Sequence, residues 1–353
     1  MTATSELAAE RPARRFRLPN ELGIIVVLLV VVLAFSLLSP NFRTFGNASN
    51  LLLNGSVIAF LTLGQTLVLI TGGIDLSLGG IVAMTGVLSA LAMSHGAPWW
   101  VAVLVALGAG ALAGTISGSL IHFARVPAFI VTFAMMGVTS AIPLILTGAS
   151  SVTVVDDTFA LIGQGHLLGI PVPVVLFVVA ALVIGLVLVK TEFGVHTYAM
   201  GGSVAAARLA GIAIGRNTVL IYALSGMFGS VGGLILTARL RVGFPSAGLG
   251  NELFYSIAGA VVGGVSLFGG IGTVAGAMVG AILIATVSNG LNVLNVSSYW
   301  QSFVIGIIIL AGVSFDINRE RLLGSPLVSG LRRLRHREAV GTGSGDRTPV
   351  STP

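Results

Sequence analysis

Long uninterrupted runs of apolar residues dominate the chain, and short stretches rich in polar residues or glycine separate them. Two of the runs, 22–38 and 172–189, contain no charged residue. A helix needs about 17–25 predominantly apolar residues to cross the hydrocarbon layer of a bilayer. The pattern therefore predicts helices that span a membrane.

About ten such runs follow one another, and they predict an all-α, polytopic transmembrane helix bundle. The predicted spans are 22–38, 56–73, 77–94, 99–121, 128–148, 170–189, 217–238, 253–268, 271–289 and 300–315. Segments 77–94 and 253–268 are interrupted or flanked by glycine pairs. This pattern indicates broken or re-entrant helices, which membrane proteins tolerate where the backbone lines a cavity rather than lipid.

Composition favours one transmembrane domain over residues 22–316 rather than several soluble domains. Hydrophobic residues make up 55% and charged residues 8% of the 353 residues, with 48 glycines and no cysteine. Glycine lets membrane helices approach closely, where association depends on packing. The lack of cysteine excludes disulfides and thiolate metal sites. Residues 1–21 are then a basic N-terminal tail, and 317–353 a basic tail with the composition of a disordered segment.

The positive charges indicate the orientation of the chain. Ten spans place both termini on one side, and with the termini in the cytoplasm all but three of the 18 Lys and Arg residues lie inside. The three outside are Arg43, Arg239 and Arg241. Inserted proteins retain cations on the cytoplasmic side, so we expect cytoplasmic termini. The basic run 332–337 is expected to meet anionic lipid headgroups rather than nucleic acid.

Residues 199–222 are rich in small residues and follow a long apolar run. The alanines at 205–207 and at 210 favour a short helix with little side-chain bulk. Gly211 would end that helix, because glycine readily takes the positive φ found after helix C-termini. Such a helix suits a groove on another protein, where Arg208 would pair with a carboxylate. The alternative is an ordinary loop lying on the lipid headgroups.

Motifs for nucleotide binding, zinc binding and nucleophilic hydrolysis do not occur in the sequence. A phosphate-binding loop needs Gly-x4-Gly-Lys-Ser/Thr, and the only lysine, Lys190, follows Val189. The five histidines are scattered, without the His-Glu-x-x-His pair that binds zinc, and no Gly-x-Ser-x-Gly elbow is present. We therefore expect no catalytic residue, metal site or cofactor in this chain.

Asp75 is the most conspicuous single residue, a carboxylate between two apolar, glycine-containing stretches. An ionisable group at mid-membrane costs about 2.5–3.5 kcal/mol on insertion scales and usually faces protein or water. One interpretation is a cap on a helix that starts at Leu76, with the carboxylate accepting backbone N–H groups. The other is a role in a transport path. We favour the cap, because the Leu-Ser-Leu-Gly run that follows is typical of a helix start.

Four amides, Gln65, Asn289, Asn292 and Gln301, also lie in or beside apolar runs. Asn289 and Asn292 are three residues apart and so share one helix face. Neutral amides suit an uncharged polyhydroxyl ligand, which needs many weak partners and no counter-charge. Alternatively, these side chains cross-link helices by hydrogen bonds.

Two glycine-rich segments are similar to each other, GGIDLSLGGI at 72–81 and GGVSLFGGI at 263–271. Paired glycine-interrupted segments in two halves of a transporter indicate a site built from discontinuous helices. A chain so rich in Gly, Leu and Ile also produces such matches by chance, so both interpretations stay open.

Several long motifs follow one another in the chain. They are LGQTLVLITGGIDLSLGG from 63, TEFGVHTYAMGGSVAAARLAGI from 191, YALSGMFGSVGGLILTARL from 222 and ELFYSIAGAVVGGVSLFGGIGTVAGAMVGAILIATVSNGLNVL from 252. Over about 40–316 the chain resembles the permease subunit of monosaccharide ATP-binding-cassette (ABC) importers of the ribose type. It departs from that family at Val204, where an acidic residue is common, and at Val195 and His196, where an Arg commonly follows the glycine.

The resemblance implies a multi-pass permease of the bacterial inner membrane that moves a small sugar. Its expected partners are an ATP-binding subunit that holds ATP and Mg, an extracytoplasmic sugar-binding protein, a second permease copy or a paralogue, and membrane lipids. Coupling to the ATPase is expected through segment 199–216, at Ser203, Ala205, Ala206, Ala207, Arg208 and Gly211. The transport path is expected at Gln65, Asp75, Asn289, Asn292 and Gln301.

Two other transport functions are alternatives. One is a related importer for branched-chain amino acids or nucleosides. The other is an ion-coupled secondary transporter, which would need no ATPase. Two features argue against ion coupling. Segment 199–216 suits contact with an ATPase, and the membrane spans offer few acidic residues beyond Asp75 to carry protons.

Overall fold

The computed structural model describes residues 21–248 and 250–323, and it describes no side chains in 315–323. The predicted N-terminal tail, apart from Glu21, and the basic run 332–337 lie outside the described residues.

Within the described ranges the chain forms thirteen α-helices. They are α1 Leu22–Leu38, α2 Phe45–Ile70, α3 Leu78–Ser94, α4 Trp99–His122, α5 Ala128–Thr147, α6 Asp157–Gln164, α7 Val172–Lys190, α8 Glu192–Gly202, α9 Val204–Leu209, α10 Ile214–Leu240, α11 Glu252–Val262, α12 Val274–Val293 and α13 Ser298–Leu323. A 3-10 helix, Pro40–Arg43, joins α1 to α2. The predicted all-α bundle is confirmed.

Two short antiparallel pairs complete the secondary structure of the described residues. Strand β1, Val152–Thr153, pairs with β4, Val242–Gly243. Strand β2, His166–Leu167, pairs with β3, Ile170–Pro171. Each strand has two residues, so these pairs fasten connections between helices and form no sheet layer.

Six of the described helices are long and apolar enough to cross a membrane by length and composition: α2, α4, α5, α7, α10 and α12. Four more helices are apolar but shorter than the 18 residues required of a candidate span, namely α1, α3, α11 and residues 298–314 of α13. Each of the ten predicted spans therefore coincides with an apolar helix, but length alone supports six spans and not ten.

Helix α2 lies at the centre of the bundle, where every residue from Gly55 to Ile70 is buried. It packs against α7, α10, α11 and α12. Helix α1 at the periphery has no buried residue. Leucines such as Leu29 and Leu182 are 62% exposed, an arrangement that water would penalise and that hydrocarbon accepts.

Glycines bring α4 and α10 into backbone contact. A Cβ on Gly114 would lie 2.0 Å from the carbonyl oxygen of Tyr222, and one on Gly226 would lie 2.0 Å from that of Gly110. By contrast, a Cβ on Gly108 would have no atom within 4 Å. Close approach through small residues is the usual basis of helix association in lipid.

Only one of the two segments predicted to be broken is interrupted within its predicted bounds, namely 253–268. Segment 77–94 is a continuous helix, α3, and the non-helical backbone lies before it. Residues 73–76 form neither helix nor strand, so α3 begins at Leu78 and not at Leu76. Helix α11 ends at Val262, so the predicted span 253–268 is too long. Its end has a local cause: Gly264 has φ +89°, which an α-helix does not allow.

Candidate functional site

The predicted docking helix is α9, and it is capped at both ends. At its N-terminus the Ser203 hydroxyl oxygen accepts the backbone N–H of Ala206 at 3.3 Å. At its C-terminus Gly211 has φ +81°. The Gly211 N–H bonds to the Arg208 carbonyl and the Ile212 N–H to the Ala207 carbonyl, both at 3.1 Å. These bonds form a Schellman motif, so this six-residue helix has a defined shape.

One face of α9 is anchored and the other is open. Ala207 is buried against Met200 and Ile214. It therefore holds the helix in place, and its side chain faces the chain itself rather than the open face of α9. Ser203, Ala205, Ala206, Arg208 and Gly211 are exposed.

Leu209, at the end of α9, is 91% exposed and was not among the predicted contact residues. Its position directly after Arg208 was the available signal. An apolar side chain this exposed on a capped helix is suited to contact with another protein.

Asp75 lies in the non-helical segment between α2 and α3 and is fully buried. One carboxylate oxygen accepts the Ser77 backbone N–H at 3.0 Å and also the Ser77 hydroxyl. The other accepts the hydroxyl of Ser225, on α10, at 2.7 Å. The N-cap residue of α3 is Ser77, so the predicted cap is displaced by two residues. Asp75 instead ties the start of α3 to α10.

Two further polar side chains lie close to this connection and lack hydrogen-bond partners among the described residues. Both polar atoms of Gln65 are buried without a partner, and so is the hydroxyl of Tyr222. A Cβ on Gly64, next to Gln65, would lie 3.2 Å from the Ser225 hydroxyl oxygen. Buried polar groups usually have partners, so these orphaned groups indicate a ligand or water.

Tyr222 and Ser225 were not among the predicted site residues, although both lie in the YALSG motif. They are three residues apart and so share one face of α10. A Cβ on Gly73 would lie 2.5 Å from the Tyr222 hydroxyl oxygen, which places that hydroxyl beside the segment leading to Asp75.

The remaining predicted path residues lie elsewhere. Asn289 exchanges two amide hydrogen bonds of 3.0 Å with Asn47, near the start of α2. Gln301 donates to the Asn292 side chain at 2.8 Å and to the Val296 carbonyl at 3.0 Å. Asn47 precedes Gln65 by eighteen residues of one helix, about 27 Å at 1.5 Å per residue. The structure thus separates these three amides from Gln65 and Asp75, and they cross-link the chain.

A cavity of about 890 Å³ opens between α9 and the turn after α2. Val204 and Arg208 line it on the α9 side, Gly72 and Gly73 at the turn, and Tyr222 on α10. His122 and Arg125 also line it, and no acidic residue is among its described lining. The cavity therefore joins the docking helix to the segment that holds Asp75.

The chain is similar over most of its length to known permeases. The family described as branched-chain amino acid transport system / permease component matches residues 47–313. The ribose import permease protein RbsC of Escherichia coli K12 is 39% identical over 300 residues, which cover 84% of this chain and 93% of that protein.

Two further relatives match over most of their length. RbsC of Bacillus subtilis 168 is 38% identical over 316 residues, 89% of this chain and 98% of its own. The L-arabinose transport system permease protein AraH of Escherichia coli K12 is 34% identical over 324 residues, 91% of this chain and 98% of its own. No solved structure gives a significant match. The chain therefore belongs to the family of branched-chain amino acid transport system permease components.

Proposed function

We propose that this chain is the membrane-spanning subunit of an ABC importer that moves a small sugar. The observation that carries this proposal is the identity of 34–39%, over most of the chain, to permeases named for ribose and arabinose. The family description names branched-chain amino acids. The relatives just described favour a sugar as the substrate.

We propose ten spans with both termini in the cytoplasm. Non-helical backbone continues two of the shorter apolar helices, at 73–76 before α3 and at 263–273 after α11. On the proposed outer side, Arg239 donates to the Asn54 side-chain oxygen at 2.6 Å, and Arg241 forms an ion pair with Asp157. The chain itself thus provides polar partners for two of its three outer cations.

The proposed ATPase contact is the open face of α9. Its exposed alanines are small enough to enter a groove, Leu209 adds apolar area, and Arg208 supplies a charge for a carboxylate of the ATPase. ATP and Mg belong to that partner. The permease would pair with a second copy or a paralogue, and an extracytoplasmic binding protein would deliver the sugar.

We place the sugar path at Gln65 and Asp75, together with Tyr222 of α10. A sugar hydroxyl both donates and accepts hydrogen bonds, and the unpartnered Gln65 amide offers both functions. The cavity beside Tyr222 provides the exit toward α9. Asn289, Asn292 and Gln301 hold the opposite end of the bundle together.

Reconstitution tests the proposal. The chain, its ATPase and its binding protein are placed in proteoliposomes, and uptake of radiolabelled ribose and arabinose is measured. We expect uptake of one of them that requires ATP and the binding protein and that persists with a protonophore. Uptake that proceeds without the ATPase and stops with the protonophore would establish ion coupling instead.

The contact at α9 is tested by Ala206→Glu, with Ala149→Glu as the matched control. Both alanines are exposed, and Ala149 follows α5 at the proposed outer side. Because an unpaired charge buried in a protein interface is unfavourable, Ala206→Glu should reduce ATPase co-purification and uptake while membrane insertion stays normal. Ala149→Glu should match the wild type. Parental transport and co-purification of Ala206→Glu would show that the open face of α9 is not the ATPase contact.

A further inference from the structure

The end of α8 contacts two other parts of the chain through backbone atoms alone. A Cβ on Gly201 would lie 1.8 Å from the Ile70 carbonyl oxygen and 2.4 Å from the Gly270 nitrogen. The Gly270 N–H donates to the same Ile70 carbonyl at 2.8 Å. Position 201 therefore accepts glycine only. We call this contact of Gly201, Ile70 and Gly270 the glycine junction.

A side-chain hydrogen bond fixes α8 to the same loop one turn earlier. The Tyr198 hydroxyl donates to the Gly272 carbonyl at 2.8 Å. Burial raises the pKa of Tyr198, so the hydroxyl keeps the proton that it donates. Tyr198 and Gly201 are three residues apart and share a helix face. Helix α8 thus holds the loop between α11 and α12 at two points.

The turn after Ile70 connects the junction to Asp75. The Gly72 N–H donates to the Leu69 carbonyl at 2.8 Å, and the Gly73 N–H donates to the Val68 carbonyl at 3.1 Å. A Cβ on Gly269 would lie 2.9 Å from the Gly72 nitrogen, so the loop also presses on this turn. Asp75 follows within two residues of Gly73.

On its other side, the junction continues directly into the docking helix. Gly202 ends α8, Ser203 caps α9, and no flexible linker separates them. The contacts of the end of α8 and of the loop at 269–272 with the end of α2 are short, and most of them join backbone atoms. Backbone in such contacts has no rotamers through which to absorb a displacement.

We propose that Gly201 is a positioning residue that transmits movement of α9 to the Asp75 segment. The end of α8, the end of α2 and the loop at 269–272 would move as one rigid unit when the ATPase displaces α9. This inference rests on the proposed function, in which α9 receives the ATPase. It adds the route by which that displacement reaches the sugar path.

Gly201→Ala tests the junction, and Gly202→Ala is its matched control, because a Cβ on Gly202 would have no atom within 4 Å. Both variants are reconstituted with the ATPase and the binding protein. Gly201→Ala should still co-purify with the ATPase but lose most of its uptake and most of its sugar-stimulated ATP hydrolysis. Gly202→Ala should behave as the wild type. Equal uptake by the two variants would overturn the proposal.

A covalent link tests the same idea by comparing one double variant with and without the link, in case Gly201→Ala fails to assemble. The chain has no cysteine, and a Cβ at 270 would lie 3.2 Å from the Gly202 Cα. The pair Gly202→Cys and Gly270→Cys is therefore close enough for oxidative cross-linking to be tried, with the new cysteine at 270 in the positive-φ conformation of Gly270. The oxidised double variant should transport like its reduced form, since a rigid unit tolerates the link. Loss of uptake that a reductant restores would overturn the proposal.

Failure of the proposed function can be distinguished from failure of the glycine junction. Wild-type proteoliposomes without ATP-dependent uptake would refute the proposed function before any variant is compared. Wild-type uptake together with an unaffected Gly201→Ala variant would refute only the junction.

Discussion

Replacement of Asp75 separates a structural role of its carboxylate from a role of its charge. Asp75→Ala would leave the Ser77 N–H, the Ser77 hydroxyl and the Ser225 hydroxyl without their acceptor. A buried donor without a partner costs about 1–3 kcal/mol. The two hydroxyls can rotate toward other acceptors, whereas the backbone N–H cannot. We therefore expect a loss of about 1–3 kcal/mol for Asp75→Ala, mainly from the unpaired backbone N–H of Ser77.

Asp75→Asn should cost much less. The Asn oxygen still accepts the Ser77 N–H, and its amide can donate to the Ser225 oxygen, because a hydroxyl also accepts hydrogen bonds. What is lost is the extra strength of hydrogen bonds to a charged acceptor, about 1 kcal/mol. Ser225→Ala is a useful control, because it removes only the bond that reaches α10.

Thermal unfolding of the purified complex, followed by tryptophan fluorescence, measures the stability of these variants, and uptake into proteoliposomes measures their function. If the role is structural, the Asn variant keeps most of its stability and transport, and the Ala variant unfolds at a clearly lower temperature. An Asn variant that is well folded and assembled with its ATPase, but inactive, would refute this reasoning. The charge itself would then act in the transport cycle.

Two further predictions concern helix packing and energy supply. Gly114→Leu should lower the folded yield and the unfolding temperature, because its Cβ would lie 2.0 Å from the Tyr222 carbonyl oxygen. Gly108→Leu should have little effect, because its Cβ would have no atom within 4 Å. Equal stability of the two variants would contradict the described packing. The isolated chain should not bind ATP in equilibrium dialysis, because its sequence lacks a phosphate-binding loop; micromolar binding would contradict this.

The helices of this fold were predictable because a membrane span requires a local run of apolar residues. The docking helix was predictable for a similar reason, since Ser203 and Gly211 cap it from positions next to the helix itself. The positions at which helices end were harder to predict from the sequence. The sequence predicts helix to 268, whereas the positive φ of Gly264 follows the end of α11 at Val262.

The candidate site was only partly predictable, because distant segments build it. Asp75 and Ser225 are 150 residues apart, and Asn47 and Asn289 are 242 apart. No local pattern encodes either pair. The similar segments at 72–81 and 263–271 also meet, at Gly72 and Gly269, but one leads into α3 and the other follows α11. Their similarity alone did not indicate this contact.

The backbone contact between α4 and α10 has a practical consequence for comparing preparations of the transporter. Helices in lipid gain little from the hydrophobic effect when they associate, so close packing holds them together. The contact at Gly110, Gly114 and Gly226 joins backbone atoms, and these are hidden from lipid and detergent alike. Exchange of detergent should leave this pair of helices in register. Helices α4 and α10 are therefore a suitable common frame for superposing structures of the transporter obtained in different detergents.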